Sequence, residues 1–172
     1  FAESIRSIQR SLQFSDRVAH QMALLAMHQF ACLIMENSKT FIGVETLQDF
    51  KSVISLGNIP VWLPIRMAGV ADDIPQKWTM TSDGLAAWLA NKLGGAEVCL
   101  LKSCSIPQNT SLSELSKNGI IDSEFSSLVE KCRLKWSVIE ISNENELLKR
   151  IARLEEKMDK IQLSKKKGYK DY

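Results

Sequence analysis

Residues 78–103 read WTMTSDGLAAWLANKLGGAEVCLLKS, and this stretch decides the fold because it sets a helix and a strand in succession with polar groups at their ends. Ser82 is placed to cap a helix that runs through Leu93 and stops at Gly94-Gly95, glycine being the residue that most easily takes the left-handed conformation of a helix end. Glu97 to Ser103 is a short, continuously apolar run ending in a lysine, the pattern of a buried strand. Thr81-Ser82-Asp83 stands at the helix start, where free backbone N–H groups and the helix dipole favour an anion such as phosphate. Lys102-Ser103 adds a cation and a hydroxyl at the strand end, and the two together suit a phosphate-handling site. Taken singly, Ser-Asp is also an ordinary capping device and Lys102 an ordinary surface lysine.

On the N-terminal side, Phe1, Ile5, Ile8 and Leu12 recur at helical spacing, and Ser15-Asp16 offers the cap of a second helix to about Met35. That helix is apolar on most sides, as expected of one covered by both a sheet and its neighbours. Thr40 to Val44 is β-rich; Leu47, Phe50 and Ile54 then share a helical face that Gly57-Asn58 terminates. Pro60 to Ile65 reads as a buried strand and Arg66 to Thr79 as a long surface loop, of a length that often carries function. On the C-terminal side, Ser111 and Glu114 stand three apart as in a capping box, Asp122 or Ser123 starts a helix toward Cys132, and Ser137 to Ile141 alternates as a strand.

Strands alternating with helices predict an α/β fold, a three-layer α-β-α sandwich in which helices cover both faces of a mostly parallel sheet. Ligands of such sheets sit at the carboxyl ends of strands, so chemistry is expected in the loops after Ile65 and Leu101. The α/β domain spans residues 1–142. A long C-terminal helix is expected over 143–163, capped by Asn143, with Leu147, Ile151, Leu154, Met158 and Ile161 as a stripe for the domain or a partner helix. Residues 164–172 read as a basic, solvated tail.

At 172 residues, 45% of them hydrophobic, the chain can bury the core of one domain without disulfides or a structural metal. Its net charge of +2 arises with Lys165, Lys166, Lys167 and Lys170 at the end of the chain, which gives no electrostatic case for nucleic acid. Cys32, Cys99, Cys104 and Cys132 have no CxxC spacing and, with only His20 and His28, make no zinc set, so no metal site is expected and reduced, mostly buried thiols are. The most apolar run, Met22 to Met35, is interrupted by His28 and Gln29, so no membrane span is expected, and the cysteine usage suits a cytoplasmic protein.

The 78–103 stretch resembles the W-D-V-T-S-D-S-I-A-A-W-L-A…L-G-A…L-L-K-S pattern of the amino-acid-kinase superfamily, the aspartate, glutamate and uridylate kinase-like proteins, in the branch of the archaeal and methylotroph kinases of methanofuran biosynthesis. FAESIRSIQRSLQFSDRVAHQMALLAMHQF at residues 1–30 and NGIIDSEF at residues 118–125 resemble further parts of the same branch, so the likeness extends to about residue 150. The resemblance implies the amino-acid-kinase fold and phosphoryl transfer from ATP and magnesium, by positioned cations and backbone N–H groups, onto a phosphate or carboxylate oxygen. It implies Asp83 as the aspartate that organises catalytic lysines and metal-bound phosphates, with Lys102 as its catalytic companion. Thr81, Ser82 and Ser103 fall on the nucleotide side, as do Gly119 and Asp122 of the later turn.

His20 lies in the family's A-H-x-M-A stretch, where it either faces substrate or serves as a hydrogen-bonded core histidine. Arg66 can clamp an acidic substrate with two hydrogen bonds or form an ordinary ion pair. Met22, Met27, Met35 and Trp88 read as packing. The family's K-x-G-G-S phosphate loop and Gly-Gly-Gly turn stand before the position matching Phe1, so the domain is expected to be N-terminally incomplete. Thr79 replaces a family aspartate, and Cys104-Ser105 stands where V-D often follows.

Three functions follow, the third a regulatory nucleotide-binding domain that keeps the anion site at Ser82 and binds ATP without consuming it. The first is an ATP-dependent small-molecule kinase acting on a small phosphorylated or carboxylated metabolite, in the setting of methanofuran-type one-carbon cofactor synthesis. The alternative is a non-catalytic subunit or scaffold of the same fold that binds a protein partner. Either way a homo-oligomer or a subunit of a complex is expected, without nucleic acid or membrane.

Overall fold

The computed structural model describes residues 1–143 together with 148 and 149. All but those few residues of the expected C-terminal helix, and the whole basic tail, lie outside the described residues. The chain begins with α1 (Ala2–Leu12) and α2 (Asp16–Glu36), joined by a tight turn in which the Ser15 hydroxyl accepts from the Val18 N–H at 3.4 Å. β1 (Phe41–Val44), α3 (Leu47–Ser55) and β2 (Ile59–Trp62) follow as a strand–helix–strand unit. Thr46 and Asp49 close a reciprocal capping box at the start of α3, which fixes where that helix begins.

β2 stops at Trp62 instead of continuing to Ile65, and the expected loop opens with a helical turn, α4 (Ile65–Ala68). The reason is local: Pro64 has helical dihedrals, and the Ile65 N–H donates to Nε2 of His28 on α2 at 3.0 Å, so it needs no strand partner. Next come α5 (Ser82–Lys92) and β3 (Val98–Lys102), close to the expected bounds, then α6 (Leu112–Lys117), α7 (Ser123–Cys132) and β4 (Trp136–Glu140). Ser111 and Glu114 form the expected capping box on α6, and Asp122 caps α7.

The fold is therefore α/β with parallel strands. The described strands form two separate parallel pairs, β1 with β2 and β3 with β4. Helix α5 runs through the middle of the body and belongs to every packed cluster around it. Its Ala87 and Ala90 join Val98, Leu100 and Phe125 under β3 and β4. Leu85 and Trp88 join Leu24 of α2, Ala68 of α4, Ile74 and Met80. Leu89 and Leu93 reach toward Val44, Phe50 and Val53 beneath β1 and β2. Trp62 stacks on Trp88 with ring centroids 6.1 Å apart, which ties the first strand pair to this helix.

Two expectations from the sequence are corrected here. Three of the four cysteines, Cys32, Cys99 and Cys104, are exposed and Cys132 is half-buried, because each lies on the outward side of its element or just beyond its end. Helix α2 is not covered all round: Ala19, His20, Leu24 and Ala31 face inward, while Leu25, Phe30, Leu33 and Ile34 lie exposed. The helix is 21 residues long and, by length and composition alone, apolar enough to cross a membrane. Its inward stripe packs on α1, β1, β2 and α4.

Candidate functional site

Thr81, not Ser82, holds the N-cap position of α5, and its side chain makes no capping bond to its own helix. A residue forty-one positions away does that work. Oδ2 of Asp122 accepts from the Thr81 N–H at 2.8 Å, the Thr81 hydroxyl at 2.6 Å and the Gly84 N–H at 2.9 Å, while Oδ1 accepts from the Phe125 N–H at 2.6 Å. One carboxylate thus closes the N-termini of both α5 and α7, and its negative charge lies where both helix dipoles favour it. Gly84 is required by this closeness: a Cβ there would lie 2.5 Å from the Met80 sulfur, 3.0 Å from Asp122 Oδ1 and 3.2 Å from Glu124 Cβ.

Asp83 points elsewhere, to Lys102 at the carboxyl end of β3, whose Nζ lies 2.6 Å from Oδ2. Both side chains are mostly withdrawn from solvent, at 10% and 19% exposure, so the pair is held in a region of reduced dielectric. Burial is the main influence on the Asp83 carboxyl and raises it above the usual carboxylate range; the neighbouring charge of Asp122 adds to this, while the hydrogen bond and charge of Lys102 work against it. The helix–strand order seen in residues 78–103 brings this pair together, across nineteen positions of sequence.

Beside the Asp122 clamp lies a cavity of about 420 Å³ between the start of α5, the turn before α7 and the inner sides of α1 and α2. Thr81, Ser82, His20, Gly119 and Asp122 all line it, so five of the residues singled out in the sequence meet around one cavity, whereas Asp83, Lys102 and Ser103 do not line it. Gly119 has φ +67, a conformation that suits glycine and turns the chain beneath the cavity. His20 is buried, and its Nε2 has no hydrogen-bond partner; burial lowers its pKa, so the imidazole is neutral near pH 7. The core-histidine reading is right about burial, but the hydrogen bond expected with it is lacking at Nε2.

Arg6 and Lys77 also line the cavity with positive charge, alongside the carboxylates of Asp16 and Asp122. Neither stood out in the sequence, although Lys77 directly precedes the decisive stretch; Arg6 arrives only through tertiary packing. Its guanidinium lies 4.5 Å from the centre of the Trp78 ring, and the Trp78 indole N–H donates to Gln9 of α1 at 2.7 Å. Trp78 therefore fastens α1 to the segment leading into α5.

Arg66 stands apart: it does not line this cavity and instead lies 3.5 Å from Glu45 in an exposed ion pair. Ser103 follows Lys102 at the end of β3 and is exposed. Among the described residues, no group of three or more His, Cys, Asp or Glu side chains could hold a metal ion. The N–H groups of Ser82 and Asp83 lack intrahelical acceptors by the geometry of a helix start, and Asp122, whose carboxylate already sets a negative charge at that helix end, accepts from Thr81 and Gly84 instead.

Over 100 residues the chain is 27% identical to [5-(aminomethyl)furan-3-yl]methyl phosphate kinase of Methanocaldococcus jannaschii, a stretch covering 58% of this chain and 46% of that protein. The chain thus spans about half the length of the curated relative it matches. No protein-family model matches the chain, and no solved structure does. The relationship supports a distant kinase likeness.

Proposed function

We propose that this chain carries the phosphate-handling half of an ATP-dependent phosphotransferase of the amino-acid-kinase type, acting in the cytoplasm on a small phosphorylated or carboxylated metabolite. The observation that carries the reading is the part-buried Asp83–Lys102 pair beside an α5 N-terminus held in place by Asp122. Phosphoryl transfer depends on positioning and on charge stabilisation, and a preorganised lysine next to oriented N–H groups is the device it uses. Lys102 would meet nucleotide phosphate oxygens, with Asp83 holding its ammonium in place. Ser82 and Thr81 would lie along the cavity wall, and Ser103 and Gly119 would border the nucleotide. Arg6, Lys77 and neutral His20 would face the acceptor, whose volume must fit about 420 Å³.

Magnesium fits this scheme only as a companion of the nucleotide. It commonly keeps water and phosphate ligands and needs one or two carboxylates from the protein. Asp83 is the nearest candidate, since both oxygens of Asp122 are engaged in hydrogen bonds. The three-layer sandwich implied by the resemblance would require the two strand pairs to become one sheet. The similar kinase acts, by its name, on [5-(aminomethyl)furan-3-yl]methyl phosphate; an acceptor of that small, phosphorylated kind would suit the cavity, and a setting in methanofuran-type one-carbon cofactor synthesis is part of this proposal.

The test is phosphoryl transfer followed by phosphorus NMR, with ATP, magnesium and a panel of small phosphomonoesters and carboxylates. A new phosphoanhydride or acyl phosphate signal that Lys102→Met abolishes while Arg66→Ala leaves it intact is expected. Turnover that survives Lys102→Met would contradict the assignment.

A further inference from the structure

We propose that α1 is a hinged lid over the cavity of about 420 Å³, latched shut by Trp78 through the carboxamide of Gln9. The motion concerns the cavity whatever enters it; only its use in admitting an acceptor rests on the function proposed above.

The hold of α1 on the body is narrow. Ala2, Ile5, Arg6 and Gln9 share one face of the helix by their spacing, and Ala2 and Arg6 form a wall of the cavity. In this helix Ile5 alone is buried, at 6% exposure; Ile8 and Leu12 stay exposed, and the main packing partner is α2. Helix α5, by contrast, buries six residues, so the apolar cohesion of α1 is far smaller and a local opening of α1 is the cheaper event.

Polar contacts supply the rest of the hold, and they converge on Gln9. Its carbonyl oxygen accepts from the Trp78 indole N–H at 2.7 Å, while its NH2 group donates to the Asp16 carboxylate at 2.9 Å and to the Phe14 carbonyl at 3.2 Å. Arg6, one turn earlier, lies 4.5 Å from the centre of the same indole ring. Trp78 belongs to the segment that leads into α5 and stays with the body when α1 moves. Breaking its bond to Gln9 therefore separates lid from body.

The turn that carries the motion is short. Helix α1 ends at Leu12 and α2 begins at Asp16. Between them Gln13 has φ +54, the left-handed region that non-glycine residues seldom enter, and its N–H donates to the Gln9 backbone carbonyl at 2.8 Å. Ser15 caps α2 on the other side. With each helix closed by its own cap, rotation falls on the residues between them and unwinds neither.

The lid matters because of what lies beneath it. His20, buried on α2 with an unpartnered Nε2, is part of the cavity wall. Arg6 travels with the lid and Lys77 stays with the body, so an anion that meets both cations would hold the lid closed, against the carboxylates of Asp16 and Asp122 in the same wall.

The experiment follows two readouts on the purified chain: amide hydrogen exchange, and the rate at which diethyl pyrocarbonate modifies His20. His28, whose Nε2 accepts from the Ile65 N–H, is the internal reference. The α1 amides are expected to exchange together and faster than those of α5. Trp78→Phe keeps a ring but loses the N–H, and should speed both α1 exchange and His20 modification several-fold while α5 and His28 keep their rates. Gln9→Met, which removes the clasp from the other side, is expected to do the same. Faster exchange in α1 without faster modification of His20 would make α1 a fraying helix that gates nothing, and equal acceleration in α5 would make Trp78 a residue of general stability. Either result overturns the lid, as does no acceleration in both variants. Phenyl phosphate, the small phosphomonoester used as probe, is expected to slow both readouts in the unsubstituted chain and to do so less in Arg6→Gln. If it slows neither while the other results hold, the placement of the acceptor in this cavity is overturned and the lid is upheld.

Discussion

Asp122 holds more of the molecule together than any motif suggested for it. It sits in a turn that resembles a nucleotide-side element, yet its carboxylate accepts four hydrogen bonds from the protein itself. Asp122→Ala is expected to lower unfolding free energy by roughly 2–4 kcal/mol, combining a lost cap with lost charge-assisted bonds, as urea denaturation would measure. Thr81→Val, which removes the 2.6 Å hydroxyl bond but keeps the shape, should cost about 1 kcal/mol. His20 gives a separate pH signature. Burial lowers its folded pKa below 6.5, so the unfolded chain binds more protons in that window and stability is lost as pH falls below about 6.5. His20→Gln is expected to flatten that part of the stability profile; an unchanged slope would mean that other groups cause it. The sequence made Asp83 and Lys102 legible because both lie in one run of residues, but it could not reveal what Asp122 does. A carboxylate that caps its own helix leaves a local signal at Asp122 and Phe125, whereas its reach to Thr81 and Gly84 exists only in the folded chain.

At the scale of elements, α5 is the part on which the others are arranged, and small residues set how closely they approach. Gly84→Ala is expected to push α5 away from Asp122 and α7. The Met80 sulfur can swing aside, but Asp122 Oδ1 and Glu124 Cβ are fixed by the helix they begin, so a cost of roughly 1–3 kcal/mol in thermal or urea unfolding is predicted. Helix α1 depends on Trp78: Trp78→Phe removes the indole bond to Gln9 and weakens the stacking of Arg6, and limited proteolysis should then cut faster within residues 1–14. Periodicity foretold most of these elements because buried faces recur at fixed spacing. It misplaced the end of β2, since an apolar run through Pro64 and Ile65 looks like strand until His28 supplies the partner for the Ile65 N–H. It also treated α2 as covered on most sides, because apolar composition cannot distinguish a surface that is buried from one that is merely available.

Across the whole molecule, two parallel strand pairs share one central helix, and the loops at its N-terminal end gather an ion pair, a doubly used aspartate and a cavity lined by charges of both signs. The parallel α/β character was legible from alternating elements, and the meeting of His20, Ser82, Gly119 and Asp122 around one cavity was not, since no spacing rule joins residues so far apart in sequence. The separation of the strands into two pairs was not legible at all, because a strand's pattern reports its burial and not its neighbours. The central claim is that this end of the molecule binds nucleotide phosphates through Lys102. Calorimetric titration with magnesium and a non-hydrolysable ATP analogue, on the chain as it stands and on its Lys102→Met and Arg66→Ala variants, tests it most directly. Saturable binding that Lys102→Met weakens at least about tenfold, a loss near 1.4 kcal/mol, and that Arg66→Ala leaves unchanged is the predicted result. Binding indifferent to Lys102, or none at millimolar nucleotide, would contradict it.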